Sequence, residues 1–494
     1  MVMKVTFIYP DLIGSANYGG VFYPGIGSLS GVLKEAGHQT SMIHITQPIT
    51  RKDFLRSVEK EDAVLYAFSC TTMMSGFVKE LSGWIKSKDK TKLIIVGGVH
   101  AFLAPEELIS IDSVDFVCVG EGEYALRDLC SALLEGRDVS SIPNLWSKHN
   151  GRIFRNAPRP LISDLDSLPF PDRTVFNYKK LMEGREEMVF FMASRGCPYG
   201  CPYCCNHALR DIYNDPDSWV RFRSVENVIR EIKLFLENYP STKYVAFFDD
   251  ILALRKDWFR KFTEHYKNQI GLSFRCNMRA NYLADEETVK MLSEAGCGRV
   301  IIGLESGNEY VRNKIIGRNM PESILIEAEK LCKKYGIELA TYNMLGVPQE
   351  SFSAMLDTVK LNAKIKADFT YASIYYPFPK TALYELCKKK NLLTDRIVTD
   401  YVEGSVLNFD RFTHIRILFI RDYFRPLMNV YRLIYSIPAG LSSYFERIFD
   451  SILSSKILAV TIFSFADWFF KAVRENRILA SCINRIKRMA KMPR

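Results

Sequence analysis

Short apolar strand patterns alternate with helical patterns along most of the chain, and this alternation restricts the fold more than any other sequence feature. In the first part, the strand patterns are β-branched and apolar on both faces, which is typical of buried parallel strands. They cover residues 5–9, 40–45, 64–69, 93–96 and 116–119. We therefore predict a doubly wound, open parallel α/β sheet over residues 1–141.

A second series of alternating patterns follows, and we predict that it forms residues 186–390. Its strand patterns cover residues 189–193, 244–248, 273–277, 300–304, 339–345 and 371–376. Helical patterns separate them, and the clearest begins after Ser224, a favourable N-cap residue. Six βα repeats predict a partial (βα)6 barrel.

The two remaining segments lack this alternation. Residues 142–185 are rich in Pro, Asn, Asp and Arg, which predicts a linker. The composition of residues 391–494 predicts a mainly helical, basic and apolar region. Its uncharged run at residues 457–466 is too short to span a bilayer. Its basic end, residues 485–494, suits either an anionic membrane face or the solvated end of a helical cap over the barrel.

Composition adds broad limits. A chain of 494 residues predicts two or three domains, and a net charge of +10 identifies no partner. Of the 12 cysteines only one group is clustered, which favours a reducing compartment over a disulfide framework. The N-terminus lacks the pattern of a signal peptide. We expect a cytoplasmic protein without a nucleic-acid partner, and peripheral contact with the inner membrane face is a second expectation.

The clustered cysteines, Cys197, Cys201 and Cys204, follow the first strand of the second series. Three thiolates at these spacings fit one corner of a 4Fe-4S cluster, which normally takes four thiolates, and leave one iron open for another ligand such as S-adenosylmethionine (SAM). The alternative is a zinc site, with Cys205 or His207 as fourth ligand. The loop alone leaves both open.

Polar and glycine-rich motifs end the later strands of this series, where βα barrels carry their active sites. They occupy residues 247–250, 275–277, 303–307, 345–350 and 376–381. Asp249 and Asp250 are candidates for binding SAM hydroxyls or substrate, although a structural cap would use the same residue type.

With the cysteine loop, these motifs resemble the radical SAM superfamily, and the likeness runs from residue 249 to residue 383. The resemblance implies that Cys197, Cys201 and Cys204 bind a 4Fe-4S cluster and that SAM is cleaved to a 5′-deoxyadenosyl radical. The SAM-binding residues that it implies are Tyr203 near the adenine, Glu305 and Ser306 at the methionyl end, and Gly346 and Val347 along the adenosine. Two departures are Gln349 and Lys380, which stand where glycine is common.

The first sheet is similar to the cobalamin-binding domain of class B radical SAM methylases. The matching residues follow its last three predicted strands and are Ser69, Thr71, Thr72, Gly97, Gly98, Gly120, Glu121 and Gly122. The Asp-x-His-x-x-Gly motif is missing, since His38, His44 and His100 have other surroundings, and we expect His100 to be a polar loop residue. Two alternatives therefore remain open. The domain binds cobalamin without a histidine ligand to cobalt, or it keeps the fold without binding the cofactor.

The resemblance implies cobalamin-dependent methyl transfer to an unreactive carbon of a small-molecule or lipid-like substrate. The expected partner is an electron donor such as flavodoxin or ferredoxin. Alternatives on the same scaffold are a radical SAM cyclase, oxidase or rearranging enzyme. A methylthiotransferase is less favoured because the N-terminal region has no second cluster of cysteines. A non-enzymatic zinc-binding protein is the remaining alternative.

Overall fold

The structure is a computed structural model that describes residues 2–12, 20–149, 151–183, 188–213, 215, 217–396 and 398–455. The N-terminal sheet has the strand order β2-β1-β3-β4-β5-β6-β7. Its strands are β1 Lys4–Pro10, β2 Gln39–Ile45, β3 Leu65–Ser69, β4 Leu93–Gly97, β5 Phe116–Cys118, β6 Leu145–His149 and β7 Arg152–Arg155. The flanking helices are α1 Pro24–Glu35, α2 Arg51–Glu61, α3 Ser75–Lys88, α4 Val99–Leu103, α5 Pro105–Ser110 and α6 Glu123–Glu135.

The first five strands are parallel, as predicted, and chain order reverses between β1 and β3. Such a switch point opens a crevice at the carboxyl ends of the strands. Strands β6 and β7 differ from the prediction, because they lie in the expected linker and extend the sheet, with β6 antiparallel to β5 and β7 antiparallel to β6. The dipeptide Asn150-Gly151 between them is a hairpin signal that the Pro-rich composition of the segment obscured. Helix α7, Tyr178–Glu183, lies in the same segment.

The second sheet confirms the predicted partial barrel, with six parallel strands in the order β15-β14-β13-β12-β11-β8. The strands of this part are β8 Met188–Phe191, β9 Ser194–Arg195, β10 Arg221–Phe222, β11 Tyr244–Phe247, β12 Ser273–Met278, β13 Cys297–Glu305, β14 Glu338–Leu345 and β15 Phe369–Ile374. The helices are α8 Cys205–Tyr213, α9 Val225–Asn238, α10 Lys256–Gln269, α11 Ala280–Leu283, α12 Glu286–Glu294, α13 Glu322–Lys334, α14 Phe352–Lys364 and α15 Ala382–Lys389. Ser224 caps α9 by accepting a hydrogen bond from Asn227 N.

The C-terminal region is helical as far as the structure describes it, with α16 Arg411–Asp422, α17 Phe424–Tyr435 and α18 Ala439–Ser454. Helices α16 and α17 pack against α14 and β15, around Ile417, Ile420 and Tyr431. The uncharged run 457–466 and the basic end 485–494 lie outside the described residues. Within the described part of the chain, no helix combines the length and apolarity needed to cross a membrane.

Gly307, at the end of β13, packs directly against α14. Its N–H donates to Thr358 Oγ1 at 2.9 Å. A Cβ atom at this position would overlap the backbone of Asp357 and Thr358. We predict that Gly307→Ala lowers the free energy of unfolding by about 1–3 kcal/mol, because a helix backbone cannot yield as a side chain can. Chemical denaturation would measure the change.

Gly83→Ala is the matched control. Gly83 lies within α3, and an added Cβ would meet no atom within 4 Å. The same substitution should therefore raise the free energy of unfolding by about 0.5–1 kcal/mol. Equal effects of the two substitutions would contradict the packing argument.

Candidate active site between the two sheets

A cavity of about 640 Å³ lies between the carboxyl ends of the two sheets. From the N-terminal sheet it is lined by the ends of β3 and β4 and by the loop after β5, and from the barrel by residues around the cysteine loop. Phe22, Phe68 and Phe102 supply apolar wall, whereas Arg195 and Asp250 supply charge. A cavity of this size, mainly apolar with a few polar groups, is typical of small-molecule and cofactor sites.

Six of the residues predicted to contact cobalamin line this cavity, namely Ser69, Gly97, Gly98, Gly120, Glu121 and Gly122. Thr71 and Thr72 do not line it, since the chain turns away there into a short 3-10 helix. Gly98 and Gly120 have φ angles of 92° and 124°, which favour glycine. The glycine-rich wall and the volume fit a large planar cofactor beside the sheet.

Arg195 joins the two halves of the cavity. It lies in the barrel part, two residues before Cys197, and its guanidinium reaches the loop after β5. Nη1 donates to Glu121 Oε1 at 2.7 Å, and Nη2 donates to Glu123 Oε1 at 2.6 Å. Glu123 is only 5% exposed and also accepts from Ser28 Oγ. Burial acts to raise the pKa of Glu123, but the charge of Arg195 outweighs it and the pKa is lowered.

Glu121 is a second anchor between the parts. Besides Arg195, its carboxylate accepts from Arg221 Nη1 at 2.9 Å and from the backbone N–H of Ile162 at 2.8 Å. The sequence assigned Glu121 to cobalamin contact, and the structure places it on the cavity wall with its carboxylate bound to protein groups. Arg195 and Glu123 were not predicted. Only their position in the Ser-Arg-Gly-Cys and Gly-Glu-Gly-Glu motifs could have pointed to them.

The three predicted cluster ligands lie in one tight loop. Cys204 N donates to Cys201 O at 3.0 Å, and Cys201 is buried while Cys197 and Cys204 are partly exposed. Burial raises the pKa of the Cys197 thiol to about 12, and negative charge at Asp250, Cys204 and Cys201 adds to the increase. All three are free thiols close enough to interact, a donor set that fits an iron-sulfur cluster.

Within the described residues, no three His, Cys, Asp or Glu side chains are arranged so that they could bind the same single metal ion. Cubane ligands bind different irons, so they need not converge in this way. His207, the alternative zinc ligand, accepts at Nδ1 from Arg210 at 2.9 Å. Cys205, the other alternative zinc ligand, is half-buried on the cavity wall at the start of α8.

Tyr203 and Glu305, predicted to bind opposite ends of SAM, lie side by side. Tyr203 OH donates to Glu305 Oε1 at 3.1 Å, and Arg318 lies within 3.4 Å of the same hydroxyl. Burial raises the pKa of Glu305, although the charge of Arg318 opposes the shift. Arg318 is therefore a further residue of this site, which the motifs did not indicate.

The other predicted SAM contacts are more enclosed. Ser306 and Val347 are fully buried, and Gly346, with a φ of 73°, packs against Ile417 of α16. Glu350 closes the turn by accepting from the backbone N–H groups of Gly346 at 2.8 Å and Val347 at 3.2 Å. In this arrangement Gly346 and Val347 are both buried, and their N–H groups already have a partner within the protein.

The two aspartates after β11 have different surroundings. Asp249 is fully buried and accepts from Ala193 N at 3.1 Å and from Ser194 Oγ. It therefore ties the end of β8 to β11. Asp250 lines the cavity and accepts from Asn206 Nδ2 at 3.0 Å, so it is the one of the pair that could meet a bound molecule.

His100 differs from its prediction as a polar loop residue. It lies in α4, is 1% exposed, and its Nε2 is 3.4 Å from Glu107 Oε1. Its neighbours Ala101, Phe102 and Leu103 are buried, so the short helix carries the imidazole into the core.

We predict that Arg195→Gln lowers the free energy of unfolding by about 3 kcal/mol at neutral pH, because it leaves the buried Glu123 without its cation. The loss should shrink in acid. In the wild type the pKa of folded Glu123 is lowered, so its stabilisation is complete above the unfolded pKa and is lost as pH falls through the folded one. Chemical denaturation at about pH 7.5 and at about pH 4.5 would measure the difference in the free energy of unfolding.

In the variant, burial acts without Arg195 and raises the folded pKa of Glu123, so the variant loses stability as pH rises through that pKa. Arg56→Gln is the control, since its pair with Asp53 is exposed and should contribute less than about 1 kcal/mol. A loss that is equal at both pH values would show that Glu123 is not the stranded group.

Comparison with known proteins agrees with this geometry. Residues 192–361 match the radical SAM superfamily, and residues 13–130 match the B12 binding domain. The chain is 27% identical over 412 residues to an uncharacterized methyltransferase of Pyrococcus horikoshii, covering 81% of this chain and 88% of that protein. It is 23% identical over 402 residues to the anaerobic magnesium-protoporphyrin IX monomethyl ester cyclase of Rubrivivax gelatinosus, covering 78% of this chain and 70% of that protein.

Among solved structures, the cobalamin-dependent S-adenosylmethionine radical enzyme OxsB is similar with a TM-score of 0.69. The likeness covers 97% of this chain and 76% of that chain at 16% identity, so it shows the fold alone. The two matched domains imply a 4Fe-4S cluster, SAM and cobalamin as cofactors, which confirms the predicted set. The zinc-binding alternative is thereby set aside, and the chain belongs to the radical SAM superfamily, in the group with an N-terminal B12 binding domain.

Proposed function

We propose that the protein transfers a methyl group to an unreactive carbon of a small-molecule or lipid-like substrate. The observation that carries the proposal is the cavity, because it brings the carboxyl ends of both sheets and the flank of the cysteine loop to one enclosed space. The uncharacterized methyltransferase of Pyrococcus horikoshii, similar over most of both chains, supports the same activity.

The chain's own residues would hold three groups. Cys197, Cys201 and Cys204 would ligate the cluster, Tyr203 and Glu305 would bind SAM, and the residues of the glycine-rich wall would contact cobalamin, namely Gly97, Gly98, Gly120 and Gly122. When bound, the cluster and SAM supply the radical and cobalamin supplies the methyl group.

The cavity walls protect such chemistry and position the substrate. Phe22, Phe68 and Phe102 exclude water from the space between the sheets, which limits quenching of reactive intermediates. Asp250 and Asn206, joined by a hydrogen bond, offer a polar pair on the barrel wall that could orient a substrate hydroxyl or amine. A small electron-transfer protein such as flavodoxin or ferredoxin would be the reductant.

The second candidate is a cyclase, which the similarity to the magnesium-protoporphyrin IX monomethyl ester cyclase favours. The products of SAM separate the two. A methyltransferase that uses both cofactors gives S-adenosylhomocysteine as well as 5′-deoxyadenosine, whereas a cyclase gives only the latter.

We predict that the anaerobically reconstituted protein, given methyl-labelled SAM and reduced flavodoxin as electron donor, forms S-adenosylhomocysteine in a cobalamin-dependent manner. Liquid chromatography with mass spectrometry would measure both nucleosides. A parallel preparation lacking cobalamin is the control and should form 5′-deoxyadenosine alone. Adding small-molecule extracts and following the label would then identify the acceptor. Absence of S-adenosylhomocysteine, with 5′-deoxyadenosine still formed, would favour the cyclase.

We predict that Cys197→Ala, Cys201→Ala and Cys204→Ala each reduce bound iron and sulfide to background, because each leaves only two of the three thiolates that hold the cluster. Cys205→Ala is the matched control within the same loop and should keep both at the wild-type level. Metal and sulfide analysis after anaerobic purification gives the answer. Loss of iron in the Cys205 variant would mean that the ligand set is assigned incorrectly.

A further inference from the structure

Helix α18 presents an apolar face to solvent. Its outward side chains recur at helical spacing, and Leu441 and Tyr444 are 57% and 60% exposed. Phe445, Ile448 and Ile452 continue the same face, and Leu433 near the end of α17 is 69% exposed. Single exposed apolar side chains are common on protein surfaces, but a cluster of large ones usually marks an interaction surface.

The acidic residues of α18 point the other way. Glu446 and Asp450 pair with Lys360 of α14 at 3.2 and 2.6 Å, and Tyr431 OH also donates to Asp450. The exposed residues of α18 therefore include Arg447 but no Asp or Glu. The helix directs its negative charge toward Lys360 on the body of the protein and leaves an apolar face with Arg447 beside it.

The sequence that follows α18 is strongly basic. Residues 456–494 contain nine Lys and Arg against two Asp and Glu, which is most of the chain's net charge of +10. A second copy of the chain would bring two such basic segments together, and their repulsion opposes that pairing. An anionic lipid surface accepts both the apolar side chains and the positive charge.

We propose that α18 docks the protein on the surface of an anionic lipid bilayer, lying in the interface without spanning it. The apolar side chains would enter the boundary between headgroups and acyl chains, while Arg447 would pair with lipid phosphates. This inference is independent of the proposed reaction, since it uses no residue of the cavity or of the cysteine loop.

Vesicle sedimentation with the full-length, cofactor-loaded protein tests the proposal. We expect binding to phosphatidylcholine vesicles that contain phosphatidylglycerol, weaker binding in high salt, and little binding to phosphatidylcholine alone. The variant Leu441→Glu with Ile448→Glu should bind at least about tenfold less, because two anchoring side chains become anionic. Ile326→Glu, at an equally exposed apolar position on α13, is the matched control and should bind like the wild type.

Arg447→Glu gives a second test that leaves the apolar face intact. It should weaken binding about fivefold at low salt, and less at high salt. Thermal unfolding of each variant would verify that it is folded. The proposal is overturned if the wild type does not bind anionic vesicles, or if the variants bind as it does. It is also overturned if light scattering shows a wild-type dimer that the double variant dissociates, since the face would then join two copies.

Discussion

The ion pairs of Arg195 with Glu121 and Glu123 are the interaction on which the active site depends. The arginine stands two residues before Cys197, whereas the glutamates follow the last parallel strand of the other sheet. One guanidinium thus fixes the cysteine loop against the glycine-rich loop. Because Glu123 is almost fully buried, removing the guanidinium would leave its charge buried and unpaired, at a cost of several kcal/mol. The same pairing therefore sets the width of the cavity and the position of the cysteine loop along its edge.

A second arginine makes the segment between the sheets part of the structure. The Arg173 guanidinium lies 4.5 Å from the ring centres of Phe22, in the N-terminal part, and of Phe191 on β8. It also donates to Phe190 O at 2.8 Å and pairs with Glu231 at 3.0 Å. A planar guanidinium can stack and donate at once, which a lysine cannot do. The segment predicted to be a linker therefore packs between the two parts. Arg173 and Arg195 connect the parts at two separate places.

The sequence was sufficient for features that local patterns encode. The parallel strands follow from runs of apolar residues, and the cysteine spacing predicted a cluster loop whose three thiols the structure brings close together. It was insufficient where distant segments meet. Arg195 lies 72 residues from Glu123, and nothing in either motif specifies which charges face each other once the sheets pack. The neighbourhood of Tyr203, Glu305 and Arg318 has the same origin, since it depends on how the cysteine loop meets the end of β13 and the connection that follows it.

The two departures from the family motif differ in their physical consequences. Gln349 and Lys380 both adopt left-handed backbone, with φ angles of 70° and 63°, which costs a residue with a Cβ about 1–2 kcal/mol relative to glycine. Gln349 is exposed, and nothing in the structure explains its side chain. Lys380 Nζ instead reaches Phe102 O on α4 of the N-terminal part at 3.5 Å. A hydrogen bond from a charged donor contributes on the order of the backbone cost. The lysine therefore exchanges an unstrained turn for a further contact between the parts, in addition to those of Arg195, Arg221 and Arg173.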